Sequence, residues 1–145
     1  MTLLTLALPT EATRPRPANE QDAPTLEGGL AWHAVCALED VVPDTGVCAL
    51  VDGQQIAVVR VGQGQDTQVY ALANFDPFSK AFVLSRGIVG DKAGVPKIAS
   101  PIFKQNFDLR TGRCLDDPDN PKVAVPTFPA RVRDGHIEIA LKQAA

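Results

Sequence analysis

The chain has 145 residues, of which 45% are hydrophobic and 21% charged, and its formal net charge is −3. That composition excludes a collagen, a coiled coil and a disulfide-stapled miniprotein. The charge excludes the global basic field that nucleic acid or an anionic membrane requires, and no run approaches the roughly 18 consecutive apolar residues of a membrane helix.

At the N-terminus, Leu3, Leu4, Leu6 and Leu8 form an apolar tip. No Lys or Arg precedes it and Pro9 interrupts it, so it reads as a cytoplasmic extension rather than a secretory signal. From Pro9 to Gly29 come Pro9, Pro15, Pro17 and Pro24, two arginines and four acids. Such a segment has too little apolar side chain to offset its ordering entropy. Residues 1–29 are therefore expected to be a disordered tail, and residues 30–145 a single β domain whose last strand ends near Leu141.

Short β-rich runs separated by turn residues follow. Ala31–Cys36 is a predicted strand and Ala37–Val42 a helical turn before Pro43. Gly46–Val51 and Gln55–Val61 flank Asp52-Gly53, a pair that favours the type I′ turn because both residues accept positive φ. Gln68–Ala73 is the next strand. Asn74–Gly94, with Phe75, Phe78, Phe82 and Leu84, reads as a packed loop region. Val95–Ser100 and Asn106–Leu109 are short strands, Arg110–Arg113 a turn, and Asp116–Pro121 a polar loop. The end is a hairpin: Phe128–Arg133, the turn Asp134-Gly135, then His136–Leu141, where Ile137, Ile139 and Leu141 alternate with Glu138 and Ala140. No helical run is long enough to form a layer. The fold class is all-β, a small sandwich or barrel.

Catalytic signatures are missing. His33 and Cys36 are three apart in a predicted strand, so alternation sends them to opposite faces. His136 sits beside a turn. The acids Asp116, Asp117 and Asp119 read as a solvated loop. Cys36, Cys48 and Cys114 are too few and odd in number for a disulfide framework and behave as free, small hydrophobes.

One arrangement is more informative. Asn74-Phe-Asp-Pro-Phe78 and Ser100-Pro-Ile-Phe103 are followed by Phe107-Asp-Leu-Arg-Thr-Gly-Arg-Cys-Leu115. This resembles the Rieske [2Fe–2S] domain, in which two loops at one end of a small all-β domain supply Cys-x-His and Cys-x-x-His ligands. The first pair falls here on Asp76 and Phe78, and the second on Ser100 and Phe103, with Pro77 and Pro101 kept. Two thiolates and two imidazoles hold such a cluster. Phenylalanine has no lone pair to donate, and neither aspartate nor serine readily replaces a thiolate on iron. The frame is therefore expected without its cluster: no catalytic, cofactor or metal ligands in this chain, and Phe78 packed on Phe103 in the vacated space.

Asp44–Leu50, Val83-Leu-Ser-Arg-Gly87, Ala99–Pro101 and Ala130–Gly135 extend the likeness to the ligand-free small subunits of the bacterial assimilatory NAD(P)H nitrite reductases, over residues 31–141. The resemblance implies an accessory, non-catalytic subunit in the cytoplasm. Its partner would be a large subunit carrying FAD, an iron–sulfur cluster and sirohaem, which reduces nitrite to ammonium. The candidate partner surface is Phe75, Phe78, Phe82, Ile102 and Phe103, ringed by Lys80, Arg86, Lys104, Arg110 and Arg113. The alternatives are a stand-alone Rieske-type ferredoxin, which needs the missing ligands, and a generic protein-binding β domain.

Overall fold

A computed structural model describes residues 23–142. The leucine tip and residues 1–22 of the expected tail lie outside them. Thirteen strands and four single 3₁₀ turns make up the described chain. Strands β1 (Thr25–Glu27), β2 (Leu30–Ala37), β12 (Ala130–Arg133) and β13 (His136–Lys142) form an outer sheet in the order β1-β2-β13-β12. Thr25–Glu27, within the segment expected as a tail, pairs with Leu30–Trp32 as an edge strand.

The middle sheet runs β11-β5-β4-β3, from β3 (Thr45–Val51), β4 (Gln54–Val61), β5 (Gln68–Ala73) and β11 (Thr127–Phe128). Its central strand β4 carries the unbroken apolar run Ile56-Ala57-Val58-Val59, all four residues 0% exposed. Side chains alternate along a strand, so Ile56 and Val58 enter one core with Ile137, Ile139 and Leu141 of the outer sheet. Ala57 and Val59 enter the other with Leu72, Leu84, Ile98, Phe107 and Leu109. A strand buried on both faces reads as a continuous apolar run rather than an alternating one.

The second core is closed by a three-stranded sheet, β8 (Ile88–Lys92), β9 (Val95–Ala99) and β10 (Asn106–Asp108), and by the small hairpin β6 (Phe75–Asp76) and β7 (Ala81–Phe82). The stretch expected as a packed loop, Asn74–Gly94, therefore holds three strands. Its β8–β9 hairpin turns on Ala93-Gly94, both at positive φ, and alanine is no turn marker in sequence. Both Asp-Gly hairpins form as expected, with φ of 48° and 77° at Asp52-Gly53 and 52° and 78° at Asp134-Gly135. The expected strand Phe128–Arg133 is broken at Pro129. Phe128 pairs with Ala71 in the middle sheet, whereas Ala130 pairs with Ile139 in the outer one. Proline has no N–H to continue a ladder, and the chain changes sheets there.

A bulge also overturns the expected facing of His33 and Cys36. The register between β13 and β2 shifts between Ile137 and Glu138, so Cys36 lies opposite Ile137 and His33 opposite Ile139. One extra residue in a strand resets the alternation, and both side chains share the inward face.

Candidate functional site

The two loops lie side by side at one end of the second core. The first, Pro77–Lys80, closes the β6–β7 hairpin, and the second, Ser100–Gln105, joins β9 to β10. They are built alike. Each opens on a short polar residue before proline, a turn-initiating pair. The Phe78 N–H donates to Asp76 Oδ1 at 2.9 Å, and the Ile102 N–H to Ser100 Oγ at 3.2 Å. Each closes on a lysine in left-handed backbone: the Lys80 N–H donates to the Asp76 carbonyl at 2.8 Å, and the Lys104 N–H to the Ser100 carbonyl at 3.0 Å.

The opening residues also bond to each other. Ser100 Oγ donates to Asp76 Oδ2 at 2.6 Å, and Ser79 Oγ donates to the same oxygen at 2.7 Å. Asp76 is 0% and Ser100 1% exposed. Burial pushes the Asp76 carboxyl up, but the hydroxyls of Ser100 and Ser79 and the N–H groups of Phe78 and Ser79 outweigh it and hold the group below its ordinary value. A buried anion with this many donors is satisfied without a counter-cation.

The aromatic residues part company. Phe78 turns inward onto Phe107, with ring centroids 6.1 Å apart, and joins the second core. Phe103 is 58% exposed, so the expected Phe78–Phe103 packing is replaced by Phe78–Phe107. The second loop is one residue longer between its polar opening and its phenylalanine, which carries Phe103 out to the tip. Phe75 stacks edge-on against Phe82 at 5.1 Å. Of the five candidate partner residues, Phe82, Ile102 and Phe103 are exposed, and Phe75 and Phe78 are half-buried behind them.

Asn74, which sequence reading passed over, knits the base of the first loop. It is 2% exposed. Its Oδ1 accepts from the Ser85 N–H at 2.6 Å, and its Nδ2 donates to Gln55 Oε1 at 3.2 Å. The Val83-Leu-Ser-Arg-Gly87 segment is thereby tied to the middle sheet, and its Gly87 lies where a Cβ would strike the Ala99 carbonyl. Of the cations expected to ring the site, Arg110 is paired with Asp108 at 3.2 Å. The acidic loop is occupied by its neighbours: Asp116 takes Lys92 Nζ at 2.7 Å and the Asn106 N–H at 2.8 Å, and Asp117 takes Asn120 Nδ2 at 3.1 Å.

A Rieske cluster does not fit the residues present. Phe78 and Phe103 diverge and offer no lone pair, and the oxygens of Asp76 and Ser100 are committed to each other. Among the described residues no three of His, Cys, Asp and Glu are grouped to hold a metal ion. The described cysteines are all free, and burial raises each thiol, Cys36 to about 11. No described helix is long and apolar enough to cross a membrane.

Comparison with known proteins sets this geometry in a family. The model of the Rieske-like [2Fe-2S] domain matches residues 31–140. The nitrite reductase (NADH) small subunit of Salmonella typhimurium is 41% identical over 108 residues, covering 74% of this chain and 95% of that protein. The nitrite reductase [NAD(P)H] large subunit of Klebsiella oxytoca is 39% identical over 112 residues, 77% of this chain but 11% of that protein. A solved structure described as an NADH-dependent nitrite reductase small subunit of Mycobacterium tuberculosis superposes with a TM-score of 0.72 at 45% identity, covering 79% of this chain and 98% of the other.

Proposed function

The chain belongs to the Rieske-like [2Fe-2S] domain family, and from that premise we propose that it is the small subunit of an NAD(P)H-dependent nitrite reductase, built on a Rieske-type frame that holds no cluster. The observation that carries this reading is the Klebsiella oxytoca large subunit, one-ninth of which resembles this chain. There the domain is part of the reductase polypeptide itself, and a domain that works in one polypeptide with its partner works, as a separate chain, bound to it. Small subunits similar over almost their whole length support the same assignment.

In this reading the subunit is accessory and not catalytic. Its two-loop end offers no donor set for iron, and its one carboxylate there, Asp76, is spent on structure. The six electrons that take nitrite to ammonium pass through a large subunit expected to carry FAD, an iron–sulfur cluster and sirohaem. The small subunit binds that protein in the cytoplasm through its two-loop end, with Phe82, Ile102 and Phe103 outermost and Phe75 and Phe78 behind them.

The test is a tagged pull-down from nitrate-grown cells, with a nicotinamide-dependent nitrite reduction assay on the eluate. Recovery of a large sirohaem flavoprotein with activity is the expected result. Recovery of an unrelated partner would replace this reading with that of a generic protein-binding β domain. Stoichiometric iron and acid-labile sulfide in the isolated chain would instead favour a ferredoxin.

A further inference from the structure

Both loops place a lysine at a position that favours glycine. Lys80 stands four residues after Asp76 and Lys104 four residues after Ser100, with φ of 62° and 65°. Left-handed backbone is free for glycine and costly for any residue with a Cβ. The backbone therefore supplies no reason for lysine at either place, and strain of this kind points to a role for the side chain.

The surroundings indicate what that role is. Among the described residues neither ammonium is paired with a carboxylate. Arg86, just after the first loop, adds a third exposed cation. The single acid within residues 74–87 and 100–107 is Asp76, which is buried and bonded to Ser79, Ser100 and Phe78. Lys80 and Lys104 thus close the two loops that carry an apolar tip, and Arg86 follows Phe82 by four residues, with Phe82, Ile102 and Phe103 at 56%, 45% and 58% exposure and no exposed carboxylate in either segment. A surface of one sign around apolar anchors selects a partner of the opposite sign.

We infer that this end docks on an apolar surface of the nitrite reductase large subunit that is rimmed by Asp and Glu carboxylates. Phe82, Ile102 and Phe103 are the anchors, and Lys80, Lys104 and Arg86 face the acidic rim. The inference rests on the small-subunit reading and adds to it the chemistry of the surface met. An anionic lipid surface would match the same charges, but the covalent union of this domain with a reductase polypeptide in a relative favours a protein.

The test measures the affinity of the full chain for the purified, cofactor-loaded large subunit of the same organism, at about 50 mM and about 500 mM salt. K80E/K104E should weaken binding about a hundredfold at low salt, and F103A about tenfold. High salt should weaken the wild type and leave K80E/K104E nearly unchanged. K80G/K104G is the decisive variant: it should keep or raise the thermal midpoint, because the strained positions are relieved, yet bind about tenfold more weakly. A wild-type complex that all three variants form equally well would overturn this inference and leave the subunit reading standing. Absence of any wild-type complex would overturn both, and salt-sensitive binding to phosphatidylserine vesicles in its place would assign the end to a membrane.

Discussion

Ser100 Oγ and Asp76 Oδ2 are 2.6 Å apart, and the bond between them joins the two residues that open the two loops. The two loops are held to each other through a hydroxyl and a carboxylate. Asp76→Ala would leave the Ser79 and Ser100 hydroxyls and the Phe78 N–H without their acceptor, at a cost of about 2–3 kcal/mol. Ser100→Ala should cost about 1–2 kcal/mol. Because the two side chains share one bond, the double variant should be less destabilised than the sum, with a coupling of about 1 kcal/mol. Denaturant unfolding of the four proteins measures it, and strict additivity would mean the bond does not tie the loops.

The same carboxylate predicts the response to acid. Asp76 is held below its ordinary value, burial notwithstanding, by donated hydrogen bonds. Asp108, through Arg110, and Asp116, through Lys92 and Asn106, are also held low. A carboxyl whose pKa is lower folded than unfolded contributes stability in full above the unfolded value, about 3.9, and loses it as pH falls through the folded one. The thermal midpoint should therefore be flat near neutrality and fall below about pH 4. Asp76→Asn should lower the midpoint at pH 7 and shrink the fall. An unchanged acid limb in that variant would show that other carboxyls control it.

The strands were legible where local chemistry decides them. Asp52-Gly53 and Asp134-Gly135 set their hairpins because both residues take positive φ readily, and Gln55–Val61 reads as a strand, whereas the burial of Ile56–Val59 on both faces is set by the sheets packed against it. Ala93-Gly94 and the bulge at Val35 were not legible, since tertiary pairing imposes them on residues with no local preference. At the site, the two loops were expected only through the resemblance to the Rieske domain, since Ser100 by itself reads as the end of a strand. The divergence of Phe78 and Phe103 was not legible, because it depends on Phe107 being within reach of one ring only. Asn74 and Ser79 were missed for a related reason: a polar side chain before or within a turn looks solvated until its partners are known.

Arg131 holds the outer sheet together in a way the single tryptophan can report. Its guanidinium donates to Glu138 Oε1 at 2.7 Å and to Glu27 Oε2 at 3.0 Å, and lies 3.9 Å over the Trp32 ring. The Glu138 side chain is 12% exposed, so Arg131→Ala strands a nearly buried carboxylate as well as losing the cation–π contact. A lower denaturant midpoint is expected, with a shift in the emission of Trp32 before unfolding. Unchanged emission and stability would reduce the pair to a surface ornament.

Reactivity of the thiols should follow access. Cys48 is exposed, Cys36 partly covered and Cys114 buried, and burial raises all three thiols, so each is protonated at neutral pH. Alkylation of the folded protein near pH 8, followed by mass spectrometry, should modify Cys48 first and slowly, and Cys36 and Cys114 only on unfolding. Rapid labelling of Cys36 would show that the outer sheet opens at the β2 bulge.

Gly87 tests whether the Val83–Gly87 segment is seated by backbone contact. A Cβ there would strike the carbonyl oxygen of Ala99, one residue before Ser100, and come within 2.9 Å of Ile98 Cγ1. Its φ of −74° suits any residue, so the need for glycine is one of space. At Gly53 the reverse holds: φ is +77° and nothing lies within 4 Å of a Cβ. Gly53→Ala should therefore cost about 1–2 kcal/mol, the left-handed penalty alone. Gly87→Ala should cost about 3 kcal/mol or more, because a backbone carbonyl in a packed sheet cannot step aside as a side-chain end can. Denaturant midpoints of the two variants decide it. A Gly87→Ala loss no larger than that at Gly53 would mean that β9 shifts to admit the methyl group, and that the segment is held by Asn74 rather than by its approach to Ala99.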